Sequence, residues 1–413
     1  TIDGVAIDVK ASDVTIDDLF VDITSVGKND TFAIRAVESD NLTVSDNIIV
    51  YVAGYDANST KTYQHVIDIR DSDNVAVENN TIIADLPTMT VDWYGVGIDQ
   101  DFPLAVGIQN CKDSAFTENI VVANVNNANA YATLDAMMVN NVTGFEITNN
   151  NFTVTATTDA GAVLYLYAVD LYKSNGVFVA ENNILVNTTS GIDGSGTDYP
   201  IQITGPFTGL IENNKLTAVS KGSSLGIYAA NWGGPIDVTI SNNVIDVTGV
   251  ASDSKYALVS GMELGADDVG VYDNIITVKN GIAYNDTNNV YGISNAQSSY
   301  GNFTFDINGN LVNTDGKYAV YLTNVLNTTV DGNVLYAHEL MGDEAVYVAS
   351  GSAVVEDNIP PFVITNETFF NFFDENNYLR NAIPEGATLD FQGPFISKVY
   401  NVFINKPVNV IST

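Results

Sequence analysis

Apolar and polar positions alternate along most of this chain in short bursts, the period-two signature of strands buried on one face. The bursts come in pairs with a fixed order. HVIDI precedes NVAVENNTII (65–83), YAVDL precedes GVFVAENNILV (167–186), and YPIQI precedes GLIENNKL (199–216). The second burst of each pair ends in a recurrent hexad, aliphatic-x-x-Asn-x-aliphatic, as in VENNTI (77–82), ISNNVI (240–245) and VDGNVL (330–335). Its asparagines are Asn47, Asn80, Asn119, Asn150, Asn182, Asn214, Asn243, Asn274, Asn310, Asn333 and Asn358. Successive steps of 33, 39, 31, 32, 32, 29, 31, 36, 23 and 25 residues fall in the range of solenoid repeats.

About 23 residues suffice for one turn of a three-sided β-coil, so the two shortest steps read as bare coils. The longer steps then carry insertions between the asparagine strand and the next unit, of which 84–106 is the largest. Insertions that recur at one place in the unit emerge on one side of a solenoid, often the binding side. The pattern predicts about twelve coils, roughly 55–60 Å long by rung spacing. VTIDDLFVDI (14–23) fits the first asparagine strand but places Leu19 in the asparagine slot, as a capping repeat does. The asparagine itself is expected at a coil corner in the left-handed region, which Asn visits more readily than other non-glycine residues. Stacked corners would form an amide ladder, a scaffold feature rather than a ligand site.

The pattern breaks at Pro360-Pro361, and 361–386 is the one candidate helical segment. Thr365 or Asn366 is the candidate cap, and Phe369, Phe370, Phe372 and Phe373 supply an apolar surface to close the end of the solenoid. Strand pattern returns in 387–413. The expected domains are therefore a β-helix over 1–360, a helical cap or linker over 361–386, and a strand-rich tail over 387–413. The abrupt strand-like beginning and end read as those of a processed product or a fragment.

Charge narrows the partners. Fifty Asp plus Glu against fifteen Lys plus Arg give −35, which disfavours nucleic acid and an anionic membrane surface. Cys111 is the only cysteine, so an intramolecular disulfide and a cysteine zinc site are excluded.

Candidate chemistry is sparse. Arg70 stands beside Asp71 and Asp73, a surface ion pair by expectation. His65 and His338 have no Ser or Cys partner at a recognisable spacing. The loop 191–198 offers Asp193, Ser195 and Asp198 as oxygen donors for a calcium ion, with Asp99 and Asp101 as a weaker alternative. Sequons for N-glycosylation occur at Asn29, Asn41, Asn58, Asn79, Asn141, Asn151, Asn187, Asn285, Asn302, Asn327 and Asn366, each with Thr two residues on. Trp93, Tyr94, Phe102, Tyr131, Tyr199, Trp232, Tyr256, Tyr291 and Tyr300 could stack on sugars or protein, or lie flat over the coil.

The asparagine rungs resemble the right-handed parallel β-helix repeats of the pectin-lyase-like superfamily. The calcium cluster with proton-abstracting Arg or Lys of its lyases is not evident. Asn313-Thr314-Asp315 and Asp267-Asp268 stand in the reverse of the order found in its hydrolases, and Gly-His-Gly and Arg-Ile-Lys do not occur. Rungs, then a helix, then LDFQG and INKPVNVIS resemble the tandem modules of adhesin-like surface proteins of methanogenic archaea. That resemblance implies a non-enzymatic cell-surface module for attachment or for envelope or filament assembly. Its implied partners are other copies of itself, other surface proteins or glycans, without nucleic acid or direct membrane insertion. The alternative is a polysaccharide-binding or polysaccharide-cleaving β-helix, a lyase or a hydrolase.

Overall fold

The computed structural model describes the chain except residues 1, 3, 27–29, 55–63, 87–103, 129–130, 159–162, 189–196, 252–256, 298–300, 339, 359–361, 367, 382, 384–386, 393–400 and 412–413. Each sequence repeat closes one coil of three strands. Strand one of every coil pairs in parallel with strand one of the next, and likewise for strands two and three. The first sheet, from Val5–Val9 to Val346–Val348, has twelve strands. The second, from Thr15–Asp17 to Gly351–Glu356, also has twelve, and the third, from Phe20–Thr24 to Val334–Ala337, has eleven. The molecule is a parallel β-solenoid, as the alternating pattern implies. Among the described residues helix is confined to the 3-10 turn Gly342–Ala345 and the short α-helix Phe369–Phe372.

The core fills the tube with stacked aliphatic rows. In the second sheet Val77, Phe116, Ile147, Val179, Ile211 and Ile240 occupy successive rungs of one register. All are at most 1% exposed, so each rung hides its apolar residue against the rungs above and below. Period-two alternation puts the intervening side chains on the outer surface.

The corner between the second and third sheets is two residues long, and its geometry corrects the expected role of the asparagine. The left-handed residue is the one before it: Asp46, Asn79, Glu118, Asn149, Glu181, Asn213, Asn242, Asp273 and Asp357 have φ between 55° and 59°, and Gly309 and Gly332 take the same place at 70° and 62°. The asparagine follows and turns inward, buried in every coil. Its Oδ1 accepts from both the backbone N–H and the Nδ2 of the preceding coil's asparagine. Asn214 donates in this way to Asn243, at 2.9 Å from each nitrogen. Asn243 Nδ2 in turn reaches the carbonyls of Ile211 and Ser241. A buried corner has no water for its polar groups, and a primary amide satisfies donors and acceptors of three rungs at once. Leu19 heads the ladder by donating its backbone N–H to Asn47 Oδ1 at 3.0 Å, while its side chain lies exposed.

The first corner, between sheets one and two, stacks smaller side chains. Ser39, Ser72 and Ser174 follow left-handed Glu38, Asp71 and Lys173, and Cys111 follows left-handed Asn110 in the same slot. The lone cysteine is thus a buried corner residue, its thiol pushed up to about 11 by burial.

The C-terminal residues do not plug the tube end as expected. Ile364, Phe369, Phe372, Phe373, Leu379 and Leu389 form a second core against Ile275, Leu311 and Val334. Those three share one outward row of the third sheet, so the segment lies along the side of the solenoid. Among the described residues of this region only Phe369–Phe372 is α-helical. The strands Val363–Ile364, Thr388–Phe391 and Asn409–Ile411 make a separate parallel sheet.

Candidate functional site

The outer face of the first sheet is the part of the surface built unlike the rest. Two outward rows cross it. One carries Asp135, Tyr167 and Tyr199 on successive rungs, then Tyr291 and Tyr318 further on. The other carries Asp170, Gln202, Tyr228 and Glu263, and ends in Tyr321 and Tyr347. Because in-register rungs place like positions above one another, tyrosines in one row stack. Tyr167 and Tyr199 lie 4.7 Å apart and 9° from parallel, and Tyr318 and Tyr347 lie 4.8 Å apart at 18°. Tyr199, Leu225, Tyr228, Leu258 and Tyr291 form a buried cluster of their own outside the tube. The cluster opens at its margins, where Trp232, edge-on to Tyr228, is 61% exposed and Tyr347 is 42% exposed.

Carboxylates are set into this aromatic face. Asp135 and Asp170 sit on neighbouring rungs at 1% and 5% exposure. Burial raises the pKa of each above the ordinary carboxylate range, and the negative charge of Asp170 pushes Asp135 further up. Gln202 Nε2 donates to Asp170 Oδ1 at 3.2 Å, whereas Asp135 Oδ1 is buried without a hydrogen-bond partner. Two carboxyls so placed cannot both ionise easily, so each holds its proton above the ordinary carboxylate range.

Glu263, two rungs beyond Gln202 in the same row, is pushed up to about 7 by burial. Its oxygens accept from the Ser294 hydroxyl and from the backbone N–H groups of Ala296 and Gln297 at 3.2 and 2.7 Å. It pins the chain where that chain leaves the sheet. Asp68, near the other end of the row, behaves oppositely. Burial alone would raise it, but His65 and Arg70 hold it below the usual carboxylate range. Arg70 Nε lies 2.9 Å from Asp68 Oδ1, so a buried carboxylate is among its partners, where the sequence suggested a surface pair with Asp71 or Asp73.

The residues singled out from sequence fall in different places. Asp193 and Ser195 of the candidate calcium loop, and Asp99 and Asp101, lie outside the described residues. Asp198 points into the tube, in an inward row with Leu166 and Val259. It accepts from Thr188 Oγ1 at 2.7 Å, and burial raises it to about 7. No group of three or more His, Cys, Asp or Glu among the described residues is arranged to hold a metal ion. Asp267 and Asp315 each accept a backbone N–H, from Ile236 and Asn280, and serve as turn acceptors. His338 is exposed and stacks on Tyr284, far in sequence from His65, which is buried beside Asp68.

Of the sequons, Asn41, Asn79, Asn141, Asn151, Asn285, Asn302, Asn327 and Asn366 are exposed and Asn187 is half-buried, while Asn29 and Asn58 lie outside the described residues. Among the aromatics, Tyr199 and Tyr291 belong to the outer cluster and Trp232 to its rim. Tyr131 lies on the strand Tyr131–Asn140, and Trp93, Tyr94, Phe102, Tyr256 and Tyr300 lie outside the described residues. Sequence reasoning missed Asp135, Asp170 and Glu263. The signal was present in LDAMMV, YAVDLY and GMELG, where an acid occupies an outward strand position between apolar neighbours.

No protein-family description matches the chain, and no curated protein matches it. Solved structures similar to it include a periplasmic alginate epimerase, at 10% identity and a TM-score of 0.36, over 82% of this chain and 76% of that one. An alginate lyase is similar at 12% identity and a TM-score of 0.25, over 87% and 90%. A third is tailspike protein 2 of an Escherichia coli O157:H7 bacteriophage, at 10% identity and a TM-score of 0.17, with 67% of this chain covering 38% of the tailspike. These likenesses are of the β-helix fold. Two of the similar proteins are by name an epimerase and a lyase, which stands against the expectation of a non-enzymatic module. No likeness to an archaeal adhesin is among them. No helix among the described residues is long and apolar enough to cross a membrane.

Proposed function

We propose that this protein binds and cleaves a polysaccharide along the outer face of its first sheet, acting outside the cell or in its envelope. The observation that carries the reading is the Asp135–Asp170 pair, two buried carboxyls on neighbouring rungs that face out of the solenoid among tyrosines. Breaking a glycosidic bond by hydrolysis needs one carboxylic acid to protonate the leaving oxygen and a second carboxylate to act as base or nucleophile. Asp135, raised above its ordinary range and unbonded at Oδ1, suits the acid. Asp170, oriented by Gln202, suits the partner. The tyrosines beside them present apolar edges and hydroxyls, the combination that sugar rings use.

The test is to incubate the protein with a panel of polysaccharides and follow new reducing ends and unsaturated products. Turnover by the native protein, abolished in Asp135→Asn and in Asp170→Asn, is the expected result. Equal turnover by both variants would remove the pair from the chemistry. The exposed sequons support the extracellular placement, and a mass shift on deglycosylation of protein from its native source would check it.

A further inference from the structure

The charges around the outer face say what kind of glycan it takes. From Leu104 to Tyr347 the chain has seven lysines and no arginine, against 24 Asp and Glu. None of those lysines occupies either outward row: over these rungs the positions are Leu, Asp, Tyr and Ser in one, and Gly, Met, Asp, Gln, Tyr, Glu and Ser in the other, and the cationic Arg35 stands beyond them, two rungs before Gly107 in the second row, next to Asp68. Among the described residues Lys173 and Lys317 come near the face, at its margins. Lys173 lies 4.7 Å from the centre of the Tyr172 ring, and Lys317 lies 5.7 Å from that of Tyr318 and 3.8 Å from Asp286.

A polyuronate carries a carboxylate on every sugar. To lie along this face it would need cationic side chains or bridging cations, and it would approach a surface of −35 net charge. Its charges would also sit against Asp135, Asp170 and Glu263, making their burial costlier still. An uncharged glycan meets none of these penalties, and its C–H faces and hydroxyls match the tyrosine rims and the Gln202 amide.

We infer that the ligand of the first sheet's outer face is an uncharged polysaccharide and not a polyuronate such as alginate. This inference rests on the reading of that face as the glycan site. Affinity electrophoresis of the full chain at pH 7 tests it, in gels containing neutral polymers (glucans, mannans, galactans, xylans) or polyuronates (alginate, polygalacturonate), each with and without calcium. A neutral polymer is expected to retard the protein. Tyr321→Ala and Tyr347→Ser, the latter on a side chain already 42% exposed, are expected to weaken that retardation at least fivefold with unchanged melting temperature. Retardation by a polyuronate as strong as or stronger than by any neutral polymer would overturn the inference and leave the glycan reading standing. Retardation by no polymer would overturn both, and neutral binding indifferent to both tyrosine variants would place the site elsewhere and overturn the inference.

Discussion

Asp343 accepts from both the backbone N–H and the side-chain Nδ2 of Asn358, at 3.1 and 2.8 Å. A single carboxylate, reaching back from the 3-10 turn Gly342–Ala345, takes the place that the next coil's asparagine would fill. The amide ladder therefore has a designed end at Asp343, as it has a beginning at the Leu19 backbone. Asp343→Asn keeps an acceptor oxygen in place and is expected to change stability little. Asp343→Ala leaves two donors of Asn358 without that acceptor and is expected to cost about 1–3 kcal/mol. Chemical denaturation of the two variants checks the contrast.

Inside the ladder a substitution reaches three rungs. Asn243→Ala strips the acceptor of Asn214 and leaves the carbonyls of Ile211 and Ser241 without this donor. With several buried groups unpaired, the expected loss is on the order of 3–5 kcal/mol, at the high end for a single substitution. Asn47→Ala, one rung from the start, removes the acceptor used by the Leu19 backbone and is expected to cost less. Melting temperatures of both variants under one condition decide this.

Stability is expected to fall as pH rises from about 4 to about 7. Asp198 and Glu263 are each raised to about 7 in the folded chain, from ordinary values of 3.8 and 4.5. Between those limits the folded state keeps protons that the unfolded state has released, so its advantage is full below the unfolded values and is lost through the folded ones. Each group contributes up to about 3–4 kcal/mol of pH dependence. The Asp135–Asp170 pair acts in the same direction. Asp68 acts oppositely, stabilising above its ordinary value and losing that contribution in stronger acid. Melting scans at pH 5 and pH 8 are expected to favour pH 5, and Asp198→Asn with Glu263→Gln is expected to shrink the difference.

The side-packed C-terminal segment is expected to come loose without melting the tube. Phe372, fully buried, belongs to a cluster with Leu311 and Val334 that is separate from the main core. Phe372→Ala is expected to raise amide exchange and protease cleavage in 362–411 while the strands of the first sheet stay protected. Loss of protection in both regions together would mean that the segment and the tube unfold as one.

How much of this was legible in sequence follows from what repeats. The solenoid, its coil number and the three-strand unit were readable because an inward row needs an aliphatic residue on every rung, as Ile147, Val179 and Ile211 display. The ladder asparagines were readable by recurrence, but their conformation was not. Asn79 and Asn80 are the same residue type at adjacent corner positions, and only backbone geometry assigns the left-handed turn to the first and the buried amide to the second. The Asp135–Asp170 pair was hidden for the opposite reason. The two acids belong to different rows of different coils, 35 residues apart, and no periodic signal joins them. The C-terminal phenylalanines announced a cover, yet nothing local to them distinguishes the end of a tube from its side.

Asp135 and Asp170 are proposed to act on a glycan at the first sheet's outer face. The most direct measurement is release of reducing ends from a neutral polysaccharide that the protein binds, by native protein, Asp135→Asn and Asp170→Asn, across pH 4–9. A bell-shaped profile is expected for the native protein, because one carboxyl must be protonated and the other ionised, with at least a hundredfold loss in each folded variant. Full release by either variant, or a profile flat across that range, would contradict the proposal.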